Sequence, residues 1–241
     1  MADIESFVRY ARSGSPGIFA DKIGWVDYSS YSGEKPFDNN TTYSVRNTIS
    51  RPPGYTISFN MKINQTYAEG YIPIAPFKPP VYPYAAFGNT AYIGVDGNVD
   101  IYMLYDAYSM ASTVITLDNI QVVDSFNVPV SNYEIIAADG EATNSNESWT
   151  VYTNGTPWTI LQLLPPVIDN GAKIDITGQG TNTIKYTGTT LDDPPAIVVS
   201  TSSPTTVVAT LNTLDGKQGA VFGIMIPSIS YIAGSGSYIC C

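Results

Sequence analysis

The sequence predicts an all-β protein, an antiparallel sandwich or barrel, on three observations. Apolar residues recur at every second position in one segment after another. The segments are short and rich in Thr, Val, Ile and Tyr, and Gly, Asn, Asp and Pro separate them. With 241 residues, 44% of them apolar and 13% charged, the chain is long enough for one domain with a sizeable core.

In "GYTISFNMKIN", Tyr55, Ile57, Phe59, Met61 and Ile63 alternate with Thr56, Ser58, Asn60, Lys62 and Asn64, which predicts a strand with one wet face. "YIGVDGNVDIYML" predicts two strands around an Asp96-Gly97 hairpin turn. "KIGWVDY", "TVITL", "WTVYT", "WTILQLL", "AKIDITG", "NTIKYTG", "AIVVST", "TVVATL" and "GAVFGIMI" are further strands. Two stretches break the pattern. "YIPIAPFKPPVYPY" places five prolines in residues 71–84, which excludes a central strand and predicts a rigid, partly polyproline-like loop. Its Tyr71, Phe77, Tyr82 and Tyr84 form a candidate ligand surface, with packing of the loop against the sandwich as the alternative. Near the start, Ile4, Phe7, Val8 and Ala11 fit helical spacing, so a short amphipathic helix is expected over residues 3–12, with a strand as the alternative.

Charge and residue usage narrow the chemistry. The net charge is −10, and it is uneven: residues 79–172 hold ten acids and no Lys or Arg, while residues 1–78 hold eight of the eleven bases. Nucleic acid is not a partner for such a surface; cations, a less acidic patch on a neighbouring copy, or simply solvent are its natural complements. No apolar run reaches the roughly 20 residues of a membrane helix, so no membrane insertion is expected. With no histidine, Ser-His-Asp and Cys-His catalysis are excluded, and two cysteines cannot build a zinc cage. Asp139 and Glu141 make a nominal carboxylate pair, but the glycine between them reads as a turn. No enzymatic activity is expected. The one metal candidate is calcium at Asp96, Asn98 and Asp100, which alternate like the first half of a calcium loop; the Asp96-Gly97 turn accounts for the same stretch. No other cofactor is indicated. Trp25, Trp149 and Trp158 sit in short strands and are assigned to the core. Lys22 and Lys62 are considered as partners in a Lys–Asn isopeptide crosslink, with no motif selecting either.

The chain's cysteines, Cys240 and Cys241, are adjacent. Neighbouring Cα atoms lie about 3.8 Å apart, below the roughly 4.4–6.8 Å of ordinary disulfides. Bonds to thiols of other chains are therefore favoured, with Gly234, Ser235, Gly236 and Ser237 as a flexible tether.

The segments "IFADKIGWVDYS", "AAFGNTAYIG", "YEIIAADGEATNSNESWTV", "TNGTPWTILQLL", "IVVSTSSPTTVVATL" and "KQGAVFGI" together resemble, in order, the ligand-binding non-repetitive domain of the CshA/CshB fibrillar adhesins of Gram-positive surfaces. The resemblance spans roughly residues 17–224 and implies a lectin-like, jelly-roll-like β-sandwich without catalytic residues, acting in adhesion to a host protein or glycan. It departs from the family's usual aromatic pair, where this chain has Trp25 and Tyr28. It leaves two extensions, residues 1–16 and 225–241. These suit a subunit of a self-assembling, disulfide-crosslinked filament on a Gram-positive cell or spore surface, whose partners are copies of itself. Met225, Ile226, Ile229, Tyr231 and Ile232 would form the contact strand, Ile4, Phe7 and Val8 an N-terminal contact, and Cys240 and Cys241 the crosslinks. The start "MADIESFVRYARSG" lacks a secretory signal and no Leu-Pro-x-Thr-Gly motif is seen, which fits assembly inside a mother cell that later lyses. The alternative is a monomeric adhesin module.

Overall fold

A computed structural model of the chain describes residues 2–31, 35–67, 74–79, 91–103, 111–140, 143–145, 147–164, 174–189, 196–213 and 218–227. These residues contain fifteen strands and no helix. In chain order they are β1 (Ala2–Phe7), β2 (Gly24–Trp25), β3 (Thr42–Ser50), β4 (Pro53–Tyr67), β5 (Ile74–Phe77), β6 (Asp100–Met103), β7 (Ala111–Val123) and β8 (Glu134–Asp139). Then come β9 (Ser148–Thr153), β10 (Thr159–Leu164), β11 (Ile174–Thr177), β12 (Thr183–Gly188), β13 (Ala196–Ser202), β14 (Thr206–Thr213) and β15 (Gly219–Met225).

Two sheets form the sandwich. The first runs β1-β3-β4-β7-β14-β9-β12-β11; the second runs β10-β13-β8-β15-β6-β5, with β2 also on β15. In the first sheet, alternation is clean. β14 reads Val207, Ala209 and Leu211 inward against Thr206, Val208, Thr210 and Asn212 outward, and β4 alternates in the same way. The inward set meets Ile135, Ala137, Ile197, Val199, Phe222 and Ile224 of the second sheet in one core. Trp149 and Trp158 lie in this core, and Trp25 is buried elsewhere.

The second sheet is covered on both faces, which explains why β8, β13 and β15 show no alternation. Its other face carries Ile136, Ala138, Val198 and Val221, packed under Ala11, Ala20, Ile23, Trp25, Ala91, Tyr92 and Val99. Residues 11–25 and 91–99 thus form a cap, fastened by the edge-to-face contact of Trp25 and Tyr92 at 5.1 Å and by the Arg12 amide on the Ile93 carbonyl at 2.8 Å.

Four expectations are corrected. Residues 2–7 are a strand rather than part of a helix, paired in parallel with β3 from Ala2↔Tyr43 to Phe7↔Thr48. Ile4 and Val8 both point into the core, a spacing of four that strand and helix share; pairing with β3 decides for the strand. No hairpin forms at Asp96-Gly97. Gly97 does turn, at φ 88°, but residues 91–99 join the cap, and β6 pairs instead with β5 and β15. Within the proline-rich stretch, residues 74–77 form β5; its Pro76 is tolerated because β5 ends the sheet. Lys22, expected in a strand, lies exposed in a turn with its ammonium 5.5 Å from the Phe19 ring; Lys62 is half-buried on β4.

Candidate functional site

The most connected polar group joins the N-terminal segment to the rest of the fold. Asp27 follows β2 and is wholly buried. Its carboxylate accepts hydrogen bonds from Ser6 Oγ at 2.7 Å, Arg9 Nε at 2.8 Å, and the Ser29 hydroxyl and amide. It also accepts the Asn98 amide at 2.9 Å, and a second Arg9 nitrogen lies 2.8 Å away. Asn47 of β3 clamps the Asp27 backbone from the other side, accepting its N–H at 2.9 Å and donating to its C=O at 3.2 Å. Burial alone would raise this carboxyl. The donors from Ser29, Ser6, Arg9 and Asn98 outweigh burial and hold it below the ordinary carboxylate value. The arrangement is a structural latch: every carboxylate lone-pair direction is engaged, which leaves nothing for proton transfer.

Two other buried acids, Asp139 and Glu147, are spent in the same way. Asp139 accepts the Thr143 hydroxyl at 2.9 Å, and Thr143 accepts from Gln218 at 3.1 Å. Glu147 accepts the Thr213 hydroxyl at 3.1 Å and the Asn144 amide at 2.7 Å. Asp100 sits against Gly140 and Gly219, where a methyl on either glycine would collide with it. Burial first, and then the charge of Asp139, push the Tyr186 hydroxyl far above its ordinary pKa.

Residues 21–225 match the family described as surface adhesin CshA non-repetitive domain 2. The chain belongs to that family. Membership places it among cell-surface adhesin domains. No curated protein matches. Among solved structures, the N-terminal domain of the Streptococcus gordonii adhesin Sgo0707 aligns at 8% identity and a TM-score of 0.39, over 95% of this chain and 67% of that one.

Against the boundaries of the adhesin domain, the latch is informative. Asp27, Asn47 and Asn98 lie inside the matched region, while Ser6 and Arg9 lie before it. Strand β1 thus lies before the matched residues and is tied to them through Ser6 and, two residues after its end, Arg9.

The residues singled out from sequence are scattered. Ile4 and Val8 are buried in the chain's own core; Phe7 points outward and is 60% exposed. Met225 and Ile226 are also buried in this fold, Met225 as the last residue of β15, so they anchor the C-terminal segment and are not free to contact a neighbour. Ile229, Tyr231, Ile232, Cys240 and Cys241 lie outside the described residues, as do Tyr71, Tyr82, Tyr84 and Glu141. Phe77 packs edge-to-face on Tyr102 at 6.0 Å. Asp96, Asn98 and Asp100 do not converge. The Asp96 side chain is 77% exposed and 3.7 Å from Arg9, Asn98 gives its amide to Asp27, and Asp100 is buried. Among the described residues no group of three acids or cysteines is placed to hold a metal ion, and no helix is long and apolar enough to cross a membrane.

One surface feature was not singled out from sequence. Between β7 and β8, Asp124 Oδ1 accepts the amides of Phe126 and Val128 at 2.8 and 2.9 Å, and Asn127 takes φ 59°. This tight turn holds Phe126 outward, 85% exposed, beside the 54% exposed Val128. An adjoining open cleft of about 250 Å³ is lined by Ile120, Val122, Val130 and Tyr133 among others. The sequence signal was present in "DSFN", an Asx turn around an aromatic.

Proposed function

We propose that this chain is a non-catalytic surface-adhesin domain that assembles with copies of itself into a filament. Copies are joined by strand addition from the segment after Pro227 and crosslinked through Cys240 and Cys241, on a Gram-positive cell or spore surface. The observation that carries this reading is the composition of residues 226–241. On a chain of net charge −10 this stretch holds no acid or base, alternates Ile and Tyr with Ser, contains both cysteines and lies beyond the matched adhesin domain. Such a segment gains more from a sheet edge than from solvent, since main-chain hydrogen bonds need no charge.

The test is negative-stain microscopy of the full chain and of a variant lacking residues 228–241, with and without reductant. Regular filaments from the full chain and isolated particles from the variant are expected, with thinner or shorter filaments in reductant. Isolated particles from both would overturn the filament reading.

The second reading, a monomeric adhesin that binds a host protein or glycan, is favoured by the preset Phe126. There, Phe126→Ala reduces capture on a panel of matrix proteins and glycans at least tenfold without shifting Tm. Unchanged capture removes this loop from the binding surface.

A further inference from the structure

Among the described residues the two sheets end on four strands: β1 and β11 in the first, β10 and β5 in the second. Three of these edges carry devices that discourage a further strand. β5 is four residues with Pro76 inside it. β10 bulges between Ile160 and Gln162, and Gln162 is engaged by the Ile18 amide at 2.8 Å. β11 is four residues long and presents an exposed Asp175. β1 differs. It too exposes acids, Asp3 and Glu5, but it is six residues without proline, glycine or bulge, and it is in register with β3 along its whole length. Ile4 in the core and Ser6 on Asp27 hold its inner side, with Val8 and Arg9 doing the same just after it, so an unbulged outer edge is presented.

We propose that the outer edge of β1 is the acceptor for residues 228–241 of a neighbouring copy; this rests on the strand-addition reading above. Charge selects the occupant. The outward face of β1 carries Asp3, Glu5 and Phe7. A second β1, or β11 with Asp175, would set carboxylates against carboxylates across the new strand pair, which is unfavourable. Residues 226–241 bring no charge, and their Ile229 and Tyr231, which share one face of a strand, match the exposed Phe7 as apolar cross-strand neighbours.

Position agrees. Ile226, next to the last described residue, lines an open cleft of about 250 Å³ with Asp21, Lys22, Arg51 and Pro52. The Arg51 amide donates to the Tyr10 hydroxyl at 3.0 Å, and its guanidinium lies 4.6 Å from the Tyr10 ring. Tyr10 follows β1 by three residues, so Ile226 and the Phe7 end of β1 share one corner. The contact path from Ile226 to β1 runs through Arg51 and Tyr10.

The experiment uses full-length protein with Cys240→Ser and Cys241→Ser, carrying Tyr231→Cys together with Asp3→Cys, Glu5→Cys or Phe7→Cys in turn. Preparations labelled with light and heavy nitrogen are mixed, oxidised and read by mass spectrometry, and the same samples are viewed by microscopy. Crosslinks joining position 231 to β1 with one light and one heavy half are expected, in about half of all crosslinked pairs. An Asp175→Cys variant should give none. Same-label pairs alone would mean that the segment folds onto its own β1, and would overturn the proposal. So would crosslinks to position 175, or filaments without crosslinks to β1; the last result leaves the filament reading standing. Mixed-label crosslinks without filaments uphold the edge and overturn the filament.

Discussion

Replacing Asp27 with alanine lowers the stability of the domain by about 2–4 kcal/mol, the range expected when several donors lose one charged, buried acceptor. Arg9, 31% exposed and still 3.7 Å from Asp96, loses its nearer counter-charge, and Ser6, the Ser29 hydroxyl and the Asn98 amide lose their acceptor together. For a chain of this size the Tm falls by about 10 °C, read by thermal denaturation followed by near-ultraviolet dichroism. Asp27→Asn keeps the volume and loses less. A change under about 1 kcal/mol in the alanine variant would show that β1 is held by apolar packing alone. The pH dependence has a fixed sign. The Asp27 carboxyl is lowered by folding, so the unfolded chain takes up the proton first. The latch contributes fully above the unfolded carboxylate value of about 3.9 and is lost as pH falls through the lower folded value. Urea titrations between neutrality and acid should therefore converge for the parent and Asp27→Asn below about pH 4.

Trp149→Ala is expected to cost about 3–5 kcal/mol, as for other buried aromatics. Trp149 is fully buried as the second residue of β9, in register with Tyr186 on one side and Leu211 on the other, and its ring lies 5.2 Å from that of Tyr186. A cavity there would sit among β strands on both sides that have little freedom to collapse. Trp149→Phe separates ring packing from the indole N–H, which finds no hydrogen-bond partner among the described residues. Losing that buried donor offsets part of the lost area, so the phenylalanine variant should retain most of the stability. Equal losses for Ala and Phe in urea denaturation would mean that shape at this site outweighs burial.

How much was legible depended on which side of a strand met water. β4 and β14 have one wet face, and their period of two is plain in the sequence. β13 and β15 are dry on both faces and were found only through their β-branched and apolar runs. β8, "EIIAAD", has the same dry environment but offers only two β-branched residues, and no strand was predicted there. The N-terminal segment was misread because Ile4, Val8 and Ala11 fall at spacings compatible with a helix. The Asp27 latch was invisible in sequence, since its donors come from Ser6, Arg9, Ser29 and Asn98 and its backbone partner is Asn47, in segments far apart along the chain.

By itself the sequence determined an all-β sandwich, the burial of all three tryptophans, the absence of any histidine-based chemistry and the likeness to fibrillar adhesins. These follow from composition and short-range periodicity, which every residue carries locally. The tertiary structure alone decided that residues 2–7 extend the first sheet, that residues 91–99 cap the second, and that the buried acids hold the fold together rather than converge on a ligand. Those outcomes depend on which distant segments share a surface, because a carboxylate leaves water only where donors from several strands meet it at once.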